Sequence, residues 1–270
     1  MSVPAGRVPC VADPEDHRLA RELADTAGRL LVDLRDRLTA EGAAPAEIKD
    51  RGDLESHELL TERLRTERPD DAVLSEEARE DDRLDRARLT AGRVWIVDPL
   101  DGTREFGEGR DDWAVHVALV EDGRPTAGAV ALPALGVTLA TDDPPTVPPT
   151  PDRLRVIVSR SRPPAEALAI AAALGADVVE MGSAGAKAMA VVRGLADVYP
   201  HSGGQYEWDS CAPVAVAAAA GLHCSRLDGS PLVYNRPDPY LPDLLICRPE
   251  HAPAAIHGAR ALSTEVPAVD

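Results

Sequence analysis

The sequence predicts an α+β half followed by an α/β half, and three patterns carry that expectation. Two amphipathic helical stretches precede a run of apolar strands joined by tight turns. A proline-rich segment then interrupts the chain. Beyond it, strand and helix patterns alternate. The interruption, Thr141 to Pro151, holds five prolines, so the chain divides into residues 1–141 and 152–270.

Met1 to Pro14 reads as a loose lead-in. Asp16 to Leu38 places Leu19, Leu23, Ala27, Leu30, Leu31, Leu34 and Leu38 at helical spacing, with charges on the other face. Glu41 to Arg51 reads as a linker carrying Pro45, Lys49 and Asp50. Asp53 stands where an N-cap belongs, before a second helix through Leu59, Leu60 and Leu64 to about Glu67. Pro69-Asp70-Asp71 turns the chain into a short strand, Ala72 to Leu74, with Ser75-Glu76-Glu77 at its end. Glu80 to Arg93 is charged and reads as a solvated loop. Strands follow at Val94 to Val97, Trp113 to Val120, Ala127 to Leu132 and Val137 to Ala140. The turn Glu121-Asp122-Gly123 pairs two of them antiparallel. The second half reads as strand Leu154 to Ser159, helix Pro164 to Leu174, strand Asp177 to Met181 and helix Ala184 to Val192. A strand at Ala196 to Tyr199, a helix from Asp209 to Ala220 and short strands near Leu222 and Leu244 complete it.

At 270 residues the chain can bury a substantial core, and 44% hydrophobic with 28% charged residues is ordinary for a globular protein. Aromatics are only 3%, so that core rests on Ala, Val, Leu and Ile. A net charge of -17 excludes a surface that coats a nucleic-acid polymer, but a bound dication can still invert the local field for a small anion. Cys10, Cys211, Cys224 and Cys247 show no zinc spacing and read as reduced, mostly buried thiols. Neither a signal peptide nor a long apolar span is visible, which places the expectation in the cytoplasm, away from membrane.

The stretch Trp95 to Thr103 carries the chemistry. Val94 to Val97 delivers Asp98 at a strand end, and Pro99 forces the chain out of the sheet. Asp98 and Asp101 then face each other across a turn with the Leu100 carbonyl between them, an all-oxygen set suited to Mg²⁺. Gly102 lets backbone approach a ligand, and Thr103 offers a hydroxyl and an amide to a phosphate. The same residues also suit a strand-ending turn whose aspartates cap the backbone.

Three other places could join this site. Glu76 lies at a strand mouth, although a Glu-Glu pair is ordinarily surface. Asp209 precedes an apolar helix and is by default its N-cap. Gly182-Ser183-Ala184-Gly185-Ala186-Lys187 combines small residues, a helix start and a cation, suited to an anion or ribose or simply to close packing. Lys49 and Lys187 are the chain's two lysines among 29 basic residues, and both fall in candidate segments.

Glu76-Glu77, Asp98-Pro99-Leu100-Asp101-Gly102-Thr103 and Trp208-Asp209-Ser210 resemble, in this order, the metal-site motifs of the inositol monophosphatase superfamily. The longer string through Arg104-Glu105-Phe106 is closer to its CysQ-type 3'(2'),5'-bisphosphate nucleotidases. Val73 to Glu77, Gly182 to Lys187 and Leu227 to Leu232 resemble stretches of that type from actinobacteria. The resemblance runs from about residue 15 to 262 and implies a layered αβαβα sandwich.

It further implies a Mg²⁺-dependent, lithium-sensitive phosphomonoesterase. Its substrate would be 3'-phosphoadenosine 5'-phosphate, hydrolysed to AMP in sulfur assimilation, with 3'-phosphoadenylyl sulfate as a related substrate. Glu76, Asp98 and the Leu100 carbonyl would bind one Mg²⁺, and Asp98, Asp101 and Asp209 a second. Gly102 and Thr103 would donate to the scissile phosphate, and Glu76 and Thr103 would activate water. Ser183, Ala184, Lys187 and Asp209 would meet the nucleotide. Asp53 matches the aspartate of the family's Thr-x-x-Asp motif, which serves water and a weak third metal, but Asp50 replaces the threonine. Homodimers are common in that superfamily. An inositol-1-phosphate or fructose-1,6-bisphosphate phosphatase and a metal-binding sensor without turnover are the competing expectations.

Overall fold

The computed structural model describes residues 12–78 and 87–265, so the expected lead-in lies almost wholly outside the described residues. Helix α1 (Pro14–Ala40) starts where the Asp13 carboxylate accepts the Glu15 amide, with proline in the first turn. It buries Leu19, Leu23, Leu31, Leu34 and Leu38 along one stripe.

Helix α2 (Pro45–Glu67) corrects the expected linker. The segment Pro45 to Arg51 is helical from a proline-led first turn, so Asp53 lies inside the helix rather than at its N-cap. Gly52 does not break α2. A Cβ there would come within 2.8 Å of the Phe106 ring and 3.0 Å of Leu100, so glycine permits close packing.

The first sheet has the order β1-β2-β3-β4-β5: β1 (Ala72–Ser75), β2 (Arg93–Asp101), β3 (Ala114–Glu121), β4 (Arg124–Leu132) and β5 (Val137–Ala140). β1 runs parallel to β2 and the rest pair antiparallel. Asp122 and Gly123 join β3 to β4 with φ of 49° and 75°, the backbone of a two-residue hairpin turn. Between β1 and β2, residues 79–86 lie outside the described set. The part of the expected solvated loop that is described holds a helical turn, α3 (Ala87–Thr90). Its Arg88 is buried and donates to Asn235 Oδ1 and the Arg236 carbonyl, tying this segment to the second half.

The second sheet has the order β7-β6-β8-β10-β9: β6 (Arg155–Ser159), β7 (Asp177–Met181), β8 (Val198–Tyr206), β9 (His223–Ser225) and β10 (Tyr240–Cys247). β6 pairs parallel with β7 and β8, while β10 is antiparallel to both its neighbours. The remaining helices are α4 (Thr103–Gly107), α5 (Ala165–Leu174), α6 (Ala184–Val192), α7 (Glu207–Ala219) and α8 (Ala252–Glu265). The sequence reading did not contain α8, whose buried face is alanine rather than leucine.

Alternation along the strands sets the layers. Trp95 and Val97 on β2 face α1 and α2, whereas Val94 and Ile96 face α6 and α7. On β10, Leu244 and Ile246 join that middle layer, and Leu245 and Cys247 pack against α5 and α8. The result is the layered αβαβα sandwich. No helix among the described residues is long and apolar enough to cross a membrane.

Candidate metal and phosphate site

β2 loses its register with β3 at the site. Asp98 pairs with His116 and Asp101 with Ala114, so three steps on β2 match two on β3. Pro99, which cannot donate to the ladder, falls inside this bulge. The buried Ser56 hydroxyl of α2 donates to the Pro99 carbonyl at 2.7 Å. The Leu100 amide donates to Asp98 Oδ1 at 3.0 Å. The chain then enters α4 through Gly102, whose φ of 89° is left-handed and whose absent Cβ would lie 3.0 Å from Ser183. The Thr103 hydroxyl reaches the Leu100 carbonyl at 3.1 Å and Asp53 Oδ1 at 3.3 Å.

Asp98, Asp101 and Asp209 each offer a carboxylate oxygen within 4.8 Å of the others. The Glu76 carboxyl, at the mouth of β1, lies against Asp98. Asp209 is not the N-cap of α7. It sits in the first turn, and its Oδ2 accepts the Tyr206 amide at 2.6 Å.

Electrostatics favours a cation here. Burial, then repulsion from Glu76, Asp101 and Asp209, pushes Asp98 well above the usual carboxylate range. Burial and neighbouring carboxylates push Glu76 to about 7 and Asp209 to about 8. Burial and Glu77 push Asp53 to about 7. Asp98 Oδ2 is buried with no hydrogen-bond donor among the described residues. Orphaned carboxylate oxygen, mutual repulsion and an all-oxygen donor set fit a hard dication.

Asp101 behaves differently. Burial works to raise it, yet His116, Ser183 and Lys187 prevail and hold it below the usual range. Ser183 Oγ donates to Asp101 Oδ2, Gly185 N donates to the same oxygen at 2.6 Å, and Ala184 N donates to Oδ1 at 3.0 Å. The start of α6 therefore receives a protein carboxylate, and Ser183 and Ala184 both donate to Asp101. Lys187 is held by the same loop. Its buried Nζ donates to the Gly182 and Ser183 carbonyls and lies 5.5 Å from the Tyr199 ring centre.

His116 was absent from the sequence reading. It is fully buried on β3, with Nδ1 3.0 Å from the Trp208 carbonyl and Nε2 3.3 Å from Asp101 Oδ2. A Cβ on Gly185 would lie 2.0 Å from that Nε2. The available signal was one polar residue inside the apolar run Trp113 to Val120. Asp112, also missed, accepts the Gly182 amide at 2.7 Å and so fixes the loop before α6. Of the cysteines, Cys211 and Cys247 are buried and Cys224 partly so, all free, while Cys10 lies outside the described residues.

Comparison with known proteins places this geometry. The family model described as "Inositol monophosphatase family" matches residues 15–262. The 3'-phosphoadenosine 5'-phosphate phosphatase of Mycobacterium leprae is 52% identical over 256 residues, covering 90% of this chain and 92% of that protein. The 3'(2'),5'-bisphosphate nucleotidase CysQ of Escherichia coli is 30% identical over 248 residues, covering 82% and 94%. Among solved structures, CysQ from Bacteroides thetaiotaomicron superposes with a TM-score of 0.72 at 25% identity, covering 87% of this chain and 97% of that one. Inositol monophosphatase II from Staphylococcus aureus gives 0.73 at 20% identity, covering 90% and 95%, a likeness of fold.

Proposed function

The chain belongs to the inositol monophosphatase family, and from that premise we propose that it is a Mg²⁺-dependent phosphomonoesterase removing the 3'-phosphate of 3'-phosphoadenosine 5'-phosphate to give AMP. The approach of Asp98, Asp101 and Asp209 within 4.8 Å carries the chemistry. The substrate follows the mycobacterial relatives, which are more than half identical to this chain.

Glu76, Asp98 and the Leu100 carbonyl would hold one Mg²⁺, and Asp98, Asp101 and Asp209 a second. Dications held there would supply charge neutralisation at phosphoryl oxygens, a lowered pKa for water and stabilisation of the leaving alkoxide. The chain's own residues provide the rest. Asp53, which takes up protons near neutrality, meets the Thr103 hydroxyl. With Glu76, this pair orients the attacking water and accepts its proton. The amides of Gly102 and Thr103, presented by the left-handed turn, donate to the phosphate. Ser183 and the first amides of α6 hold Asp101 ionised, and Lys187 fixes the carbonyls of the loop that carries them. Asp53 would serve a third metal, where Asp50 replaces the threonine of the family motif, so two or three dications would occupy the site.

Phosphate release from 3'-phosphoadenosine 5'-phosphate, inositol 1-phosphate and fructose 1,6-bisphosphate, measured side by side in Mg²⁺, tests the reading. The nucleotide should be turned over fastest. Preference for either sugar ester would overturn the substrate and leave the metal site standing.

A further inference from the structure

Tyr206 ends β8 with its ring stacked on Trp208, centroids 4.8 Å apart and planes 8° from parallel. Trp208 is 3% exposed and anchored in the middle layer, whereas Tyr206 remains 41% exposed. Tyr240 stands opposite Tyr206 in the β8–β10 register and meets its ring edge-on at 5.8 Å. The Tyr240 hydroxyl accepts the Gly204 amide at 3.4 Å. In a chain with only three tryptophans, four tyrosines and one phenylalanine, three rings thus gather in one place.

That place adjoins the cluster. The Tyr206 amide is the donor that holds Asp209 Oδ2, so the ring and the carboxylate share one turn of chain. The backbone beside the rings is uncovered. A Cβ on Gly203 would meet nothing within 4 Å, and one on Gly204 only an Arg162 nitrogen at 3.9 Å. One face of Tyr206 is backed by indole, one edge is braced, and the ring still meets solvent next to a phosphate site. An aromatic ring held rigid in this way suits a flat π-system, and every nucleobase offers one.

We propose that Tyr206, backed by Trp208 and braced by Tyr240, is the stacking platform for the purine of the nucleotide whose phosphate lies at Asp98, Asp101 and Asp209. The inference rests on the nucleotidase reading and deepens it. Inositol and fructose have no π-face, so the ring selects nucleotide over sugar esters. Such stacking contributes about 5- to 150-fold in affinity per base.

Tyr206→Ala removes the ring and keeps the amide that holds Asp209, while Tyr206→Phe keeps the ring. Both variants and wild type are assayed in Mg²⁺ on 3'-phosphoadenosine 5'-phosphate and on ribose 3,5-bisphosphate, which bears both phosphates and no base. Tyr206→Ala should raise KM for the nucleotide about tenfold or more, change kcat little, and lower the nucleotide-over-ribose preference by the same factor. Tyr206→Phe should restore the preference. An unchanged preference in folded Tyr206→Ala overturns the proposal, and so does an equal loss on both substrates. Calorimetric AMP binding to the Mg²⁺-loaded proteins reads the platform independently of turnover. Weaker binding by Tyr206→Ala supports it, whereas equal binding, or none by wild type, overturns it. Failure of the nucleotidase reading shows separately, as wild type that hydrolyses inositol 1-phosphate but not the nucleotide.

Discussion

His116 Nε2 lies 3.3 Å from Asp101 Oδ2, and both side chains are buried. The other ring nitrogen faces the Trp208 carbonyl, which can only accept, so Nδ1 carries a proton. Burial works to lower the imidazole pKa, but the Asp101 carboxylate outweighs it and raises the value. One side chain on β3 thereby braces the end of β2 against the first turn of α7, and with it the spacing of Asp101 and Asp209.

His116→Ala removes one partner of this buried pair and leaves Asp101 to the Ser183, Ala184 and Gly185 donors alone. The expected cost is about 3–5 kcal/mol of stability, together with a clear fall in kcat. Urea unfolding of the metal-free protein and steady-state turnover check both. A variant matching wild type in each would show that His116 only fills space.

Gly185→Ala places a methyl where His116 Nε2 stands, because the added Cβ would lie 2.0 Å away. Either the imidazole or the start of α6 must move, and both hold Asp101. Overpacking of this kind costs about 3 kcal/mol, or a fall in Tm of about 6–12 °C at this chain length. Differential scanning calorimetry gives the answer directly. An unchanged Tm would mean that the β3–α6 contact is looser than this geometry.

The raised carboxylates make metal binding pH-dependent with a definite sign. Glu76 at about 7 and Asp209 at about 8 lie above the range of an unfolded chain. Through these two groups the folded, metal-free protein binds more protons than the unfolded chain up to about pH 8, and their contribution to stability falls as pH rises toward that value, while burial lowers Lys187 and works in the opposite sense. His201, lowered to about 4 by burial, acts in the opposite sense below about pH 6.5, so the window to read is pH 6.5 to 8.5. Across it, the Tm of EDTA-treated protein should fall while the stabilisation given by Mg²⁺ grows. Binding should release protons at pH 7, visible by titration calorimetry in buffers of different ionisation enthalpy. A flat Tm with no proton release would contradict the carboxylate cluster.

Asp98 to Thr103 was legible because its residues force a local geometry. Pro99 interrupts the ladder, although as a bulge after which β2 pairs again at Asp101 rather than as an exit from the sheet; Gly102 permits the left-handed turn, and the aspartates face one another. The strands were legible because both faces of β2 and β3 are covered, which makes Val94 to Val97 and Val117 to Val120 continuously apolar. The first turns of α2 and the whole of α8 were not legible, and each helix holds a glycine that lets another group pack closely, Phe106 at Gly52 and Ala173 at Gly258. His116 was illegible because a polar residue in an apolar strand does not announce what it touches 92 residues away. The roles of Ser183 and Ala184 were visible only as small residues before a helix. That their donors go to Asp101 depends on how α6 meets β2 across the middle layer.

In the proposed function, Asp101 works in a dication-dependent phosphatase site. Its most direct test is phosphate release from 3'-phosphoadenosine 5'-phosphate by wild type in Mg²⁺, by wild type in EDTA, and by Asp101→Asn in Mg²⁺. The asparagine keeps one oxygen where the carboxylate accepts from Ser183, Ala184 and Gly185 through two, so circular dichroism and Tm first establish that the variant is folded. Fast release is expected, abolished by EDTA and restored by excess Mg²⁺. Asp101→Asn should lose at least about a thousandfold in kcat, about 4 kcal/mol of barrier. Turnover near wild type by the folded variant, or release indifferent to EDTA, would contradict the account.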